Sequence, residues 1–124
     1  MASRILVVED DEKSRRLLTD VLRWHGYDVA AVETGELGLA EAGARPPDAA
    51  LLDISLPGIS GFELLAALRA NGLPPFPAVA VTASVMDEDR RRMLAAGFDA
   101  YVGKPVNIRE LIATLQRLLS EARP

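Results

Sequence analysis

An α/β fold, a parallel sheet covered by helices on both faces, is what this sequence predicts, and three observations predict it. Short apolar runs alternate with longer helical stretches along the chain, the pattern of strands joined by crossover helices. The middle runs, "DAALLD" and "AVAVTA", are apolar at successive positions rather than at every second one. A strand reads that way when helices cover both of its faces. Helix stops punctuate the chain at Gly26, at "RPPD" and at Gly97, where glycine or proline ends a helix.

Each element follows in order. "RILVV" is the first strand, and Leu17, Leu18, Val21 and Leu22 form the apolar stripe of a first helix that stops at Gly26. "DVAAV" is the second strand. Thr34 to about Ala44, rich in Ala, Leu and Glu, is the second helix. "DAALLD" is the third strand. Ser60 and Glu63 have the spacing of a capping box and open a third helix through Leu64, Leu65 and Leu68. "AVAVTA" is the fourth strand, followed by a helix from about Met86 to Ala96. "AYVG" is the fifth. Asn107 can cap the last helix, with Glu110 three residues on and Ile108, Leu111, Ile112, Leu115, Leu118 and Leu119 on one face. Right-handed crossovers then restrict the topology.

At 124 residues the chain is expected to be a single domain over 1–124, long enough for a real core. It is 49% hydrophobic and 26% charged, as folded soluble chains are. A net charge of −4 gives no reason to expect nucleic-acid or membrane-surface binding by this domain. No cysteine is present, which excludes disulfides, thiolate zinc sites and cysteine nucleophiles. His25 is the only histidine, so a multi-histidine metal site is excluded as well. Arg4 followed by the apolar run Ile5 to Val8 is too short for a signal peptide or a membrane span. The expectation is a cytoplasmic protein.

Ligands of open parallel sheets bind beyond the carboxyl ends of the strands, and here those ends are polar. The first strand runs into Glu9, Asp10 and Asp11, the third into Asp53, the fourth into Thr82, and the fifth into Lys104 and Pro105. Taken singly, most have ordinary explanations. Asp10 or Asp11 can cap the first helix, Thr82 is a common strand residue, and Lys104 can be a solvated loop lysine. Asp53 is harder to dismiss, because a carboxylate ending a buried strand needs a partner. Neighbouring carboxylates repel, and a bound cation relieves them. Oxygen-only ligands suit magnesium, which commonly binds with phosphate. Lys104 can neutralise Asp53 or a phosphoryl group on it, and Thr82 can bond a phosphoryl oxygen. The set suits phosphoryl transfer, which depends on positioning and charge neutralisation, and an Asp can itself act as the covalent acceptor.

From about Arg4 to Leu119 the chain resembles the receiver domain of bacterial two-component response regulators. The motifs "ILVVEDD", "LLDISLPGISG", "VTA" and "YVGKP", in that order, carry the resemblance. It implies a flavodoxin-like (βα)5 sandwich with strand order 2-1-3-4-5, which brings the polar strand ends to one rim. It implies that Asp53 is the phospho-acceptor, served by a sensor histidine kinase or a histidine phosphotransfer protein. It assigns Mg2+ to Asp10 directly, to Glu9 largely through water, to Asp53, and to the backbone carbonyl of Ser55; Asp11 falls one place past the acidic pair. Lys104 contacts the phosphoryl group, and its bond to Pro105 is expected to be cis. Thr82 and Tyr101 match the switch pair. The last strand and two helices then form a face for a downstream protein partner, or for a phosphorylation-dependent homodimer.

The same resemblance makes the chain a phospho-acceptor switch rather than an enzyme, its phosphorylation and dephosphorylation being self-catalysed. Ser55 and Ser84, which flank the path of the hydrolytic water, are small and uncharged. One alternative is that this receiver is part of a larger hybrid kinase or DNA-binding regulator. A remote one is an aspartate-nucleophile phosphatase, but that class places a second Asp where this chain has Ser55. A flavodoxin binding flavin is disfavoured, since the acids repel its phosphate. Arg90, Arg91 and Arg92 read as a solvated helix face, and Trp24 and His25 as packing and surface residues.

Overall fold

A computed structural model describes residues 2–84 and 86–122. The strands are β1 (Arg4–Val8), β2 (Asp28–Val32), β3 (Ala49–Asp53), β4 (Ala78–Thr82) and β5 (Ala100–Gly103). The helices that alternate with them are α1 (Glu12–Trp24), α2 (Gly35–Ala44), α3 (Gly61–Ala70), α4 (Asp87–Ala95) and α5 (Ile108–Ala122). All strand pairs are parallel, in the order β2-β1-β3-β4-β5. That is the flavodoxin-like arrangement.

The pleat sorts the apolar residues onto two faces. Ile5 and Val7, Ala49 and Leu51, Val79 and Val81 join Leu18, Leu22, Leu111, Leu115 and Leu118 in a core under α1 and α5. Their strand neighbours Leu6 and Val8, Ala50 and Leu52, Ala78 and Ala80 join Leu64, Leu65, Leu68, Met93 and Phe98 in a second core under α2, α3 and α4. Every residue of β3 and β4 is buried, which accounts for their unbroken apolar runs.

Four of the five helix starts are chemically marked. Asp11 caps α1 by accepting from the Ser14 N–H, and Thr34 caps α2 through the Leu37 N–H. The capping box at α3 is complete in both directions, and Asn107 accepts from the Glu110 N–H. Two sequence expectations need correction. Leu17 is not part of the inward stripe of α1: it is 53% exposed. Each residue turns about 100° round a helix, and the sheet covers only the arc that holds Leu18, Leu22 and the half-buried Val21. The arginine run of α4 is more than a solvated face. The Arg90 guanidinium lies 5.4 Å from the centre of the Tyr101 ring, and that of Arg92 lies 4.7 Å from the centre of Phe62.

Candidate functional site

The polar strand ends converge because of register. β1 and β3 pair Val8 with Leu52, so Glu9 and Asp53, each one residue further, leave adjacent strands side by side. β3 pairs Asp53 with Val81 of β4, and β4 pairs Thr82 with Gly103 of β5. Lys104 therefore comes off the sheet on the same rim, its N–H held by the Thr82 carbonyl at 2.8 Å. Its peptide bond to Pro105 is cis.

Lys104 is the hub. Its Nζ lies 2.7 Å from Asp53 Oδ2 and 2.8 Å from Glu9 Oε1. The other Asp53 oxygen accepts the Ser55 N–H at 2.8 Å. Glu9 Oε2 accepts the Asp11 N–H at 3.1 Å. Glu9 and Asp53 are only 1% and 4% exposed, so their charges depend on these contacts. Burial opposes ionisation of Asp53, but the Lys104 ammonium and the Ser55 N–H outweigh it and hold its carboxyl below the usual carboxylate range. For Glu9 burial prevails: with the Asp53 carboxylate alongside, its carboxyl is pushed up despite Lys104. Burial disfavours the Lys104 ammonium, yet the two carboxylates raise its pKa above the ordinary value.

Carboxylate oxygens of Glu9, Asp10 and Asp53 all lie within 4.8 Å of one another. The three carboxylates outnumber the one ammonium that pairs with two of them, an excess of negative charge that a bound cation would relieve. Glu9 Oε1 is buried and accepts no well-formed hydrogen bond; the nearby Lys104 ammonium holds it by charge. The donors are all oxygen, as a hard cation requires. The residues present therefore fit a hard divalent ion. Asp10 is exposed and belongs to the cluster, whereas the side chain of Asp11 is spent on capping α1. That capping bond holds the Asp11 carboxyl below its ordinary value.

The other expected residues stand nearby in separate roles. Thr82 is buried, and its hydroxyl donates to the Ser84 carbonyl at 2.9 Å and accepts the Ser84 N–H at 3.0 Å. The Ser84 hydroxyl in turn donates to Asp89 of α4. Tyr101 pairs in register with Ala80, two residues before Thr82, so both side chains point toward α4. Tyr101 is half-buried against the second core. Ser55 is exposed beside the carboxylates. Sequence reasoning passed over Arg15, whose Nη1 donates to the Glu9 carbonyl at 3.0 Å. An arginine one turn into a helix carries no signal of its own.

The sequence model of the response regulator receiver domain matches residues 5–116. The polar-differentiation response regulator DivK of Brucella ovis is 33% identical over 123 residues, covering 98% of this chain and all of that protein. Among solved structures, the Vibrio cholerae chemotaxis protein CheY4 superposes with a TM-score of 0.90 at 28% identity, over 95% of this chain and 99% of that one. A CheY-like receiver domain protein of Methanospirillum hungatei gives 0.89 at 35% identity, over 98% and 97%.

Proposed function

Because the chain belongs to the response regulator receiver family, we propose that it is a phospho-acceptor switch in which Asp53 receives a phosphoryl group from a phosphohistidine. The donor is a sensor histidine kinase or a histidine phosphotransfer protein, in the cytoplasm. The observation that carries this reading is the buried Asp53 carboxylate, held ionised between Lys104 and the Ser55 N–H on a rim short of positive charge.

The chemistry follows from these residues. An Asp53 oxygen attacks phosphorus, the phosphorus–nitrogen bond breaks, and the departing ring nitrogen keeps its electron pair. Lys104, already beside Oδ2, stays to neutralise the new phosphoryl oxygens. Mg2+, held by Glu9, Asp10, Asp53 and the Ser55 carbonyl, supplies further positive charge there when bound. Water later attacks the phosphorus and releases phosphate, with no carboxylate or carboxamide from Ser55 or Ser84 to orient it. Nothing but this chain's own acceptor is turned over, so the protein acts as a switch and not as an enzyme on a separate substrate.

Output runs through Thr82. Its hydroxyl exchanges the Ser84 backbone for a phosphoryl oxygen, the loop before α4 moves, and the Tyr101 ring turns further inward. The α4, β5 and α5 face, where Met86 and Leu94 are 72% and 59% exposed, then receives a downstream protein or a second copy. The test is intact mass after incubation with a small acyl phosphate and Mg2+. One phosphate adduct is expected, lost in Asp53→Asn and in chelator; an adduct that survives either change overturns the assignment.

A further inference from the structure

We propose that Arg15 is a positioning residue for the cation site, fixing the backbone from which Glu9 and Asp10 project; this rests on reading that cluster as a Mg2+ site. Arg15 Nη1 donates to the Glu9 carbonyl at 3.0 Å and lies 3.4 Å from the Asp10 carbonyl. Two of the residues whose carbonyls it meets, Glu9 and Asp10, belong to the carboxylate cluster, yet among the described residues Arg15 forms no ion pair with any of the three carboxylates. A residue serving only as counter-charge would take a carboxylate. Arg15 takes the chain instead.

The segment it holds lies between β1, which ends at Val8, and α1, which begins at Glu12. Two of its amide groups are engaged: the Glu9 N–H goes to the Val32 carbonyl at 3.0 Å, and the Asp11 N–H to Glu9 Oε2. Arg15 reaches back from α1 to meet the carbonyls of Glu9 and Asp10. Orienting those carbonyls sets the peptide planes on either side of the Asp10 Cα, and with them the direction of its carboxylate. Asp10 needs this most, because it is exposed. A guanidinium presents several donors in a rigid plane and can serve two carbonyls; an ammonium is a point charge on a flexible stem.

Groups behind the ligands commonly change metal affinity by about 10–100-fold when altered. Arg15 acts through the backbone rather than on the ligating oxygens, so the low end, about tenfold, is expected. Its charge works in the opposite sense: a cation near the site repels Mg2+, so a purely electrostatic Arg15 would bind Mg2+ more tightly once neutralised.

The experiment is calorimetric titration of the full chain with Mg2+ alone, for wild type, Arg15→Lys, Arg15→Met, and the matched controls Arg16→Lys and Arg16→Met. Arg16 is 74% exposed and pairs only with Glu12 among the described residues. Both Arg15 variants should bind Mg2+ about tenfold more weakly, and both controls like wild type. Amide NMR shifts of metal-free Arg15→Lys should change at residues 9–12, with the core unaltered, which a general loss of stability would not produce. Wild-type affinity in Arg15→Lys, or tighter binding in Arg15→Met, overturns the role of Arg15. A wild type that binds no Mg2+ overturns the cation reading itself, and this inference with it.

Discussion

Asp53 illustrates how much a single position can be asked to do. Its carboxylate is buried, ionised and shared between a lysine and a backbone N–H, so its surroundings must not shift. Gly61 protects that geometry. A Cβ there would meet the Asp53 carbonyl at 2.5 Å and the Ile54 Cα at 2.6 Å, both backbone. Gly61→Ala should therefore cost about 1–3 kcal/mol, as overpacking does, and slow phosphorylation in proportion to the displacement of Asp53. Gly43, with nothing within 4 Å of its virtual Cβ, is the contrast: Gly43→Ala should stabilise by about 0.4–1 kcal/mol. Urea midpoints of the two variants check both signs. In the proposed cycle, Ser55 and Ser84 bear on the loss of phosphate. The Ser84 hydroxyl is turned to Asp89, and neither serine carries a carboxylate or carboxamide to orient a water. Ser55→Asn with Ser84→Glu should shorten the phosphoryl half-life about tenfold, which is about 1.4 kcal/mol of barrier. An unchanged or longer half-life in a radiolabel decay assay rules out water positioning as the cause.

At the scale of elements, α4 is lightly anchored. Met93 is its one buried residue, and no side chain caps its N-terminus. Besides the stacking of Arg92 on Phe62, two replaceable holds are the Ser84–Asp89 hydrogen bond and the stacking of Arg90 on Tyr101. Elements with few buried apolar contacts open at low free-energy cost. The two holds join Thr82 to Tyr101 by way of the first turn of α4. Arg90→Ala removes a cation–π contact worth about 0.5–1 kcal/mol at an exposed site. It should broaden the Tyr101 ring signals of the unphosphorylated protein and bring the ring nearer its position in the beryllofluoride complex. Ring shifts identical to wild type in both states count against α4 as the link. The same contact shows where the sequence was silent. "RRR" reads as surface charge, and only the packing of α4 across β5 puts a ring under its first arginine.

At the scale of the molecule, two apolar cores clamp a five-stranded sheet whose polar rim carries excess negative charge. The cores supply the stability that the rim spends. A cation that binds only the folded rim should return some of it: at a hundred times its dissociation constant, about 2.7 kcal/mol. Guanidinium or urea midpoints with and without Mg2+ should differ accordingly in wild type. Asp10→Asn should lose most of that difference. Asp11→Asn should keep it, since Asn also caps a helix and Asp11 is not among the clustered carboxylates. Equal losses in the two variants place the cation elsewhere. Among the described residues no helix is long and apolar enough to cross a membrane.

The linear order of residues determined the five strands and five helices almost to their ends, because two-sided burial and capping are local demands. It also determined that Asp53 needs a partner, since a charge closing a buried strand is costly wherever the strand lies. It marked Glu9, Asp10, Thr82 and Lys104 as strand-end residues, but their convergence depends on which strands are neighbours. β1 beside β3 is a pairing 44 residues apart in sequence, Ile5 with Ala49, and periodicity cannot express it; only the likeness to a known family did. The exposure of Leu17 was decided by the narrow arc that the sheet covers, and the engagement of Arg15 and Arg90 by backbone and ring atoms brought to them by the fold. These were decided in three dimensions, because each depends on what a side chain meets across the chain rather than along it.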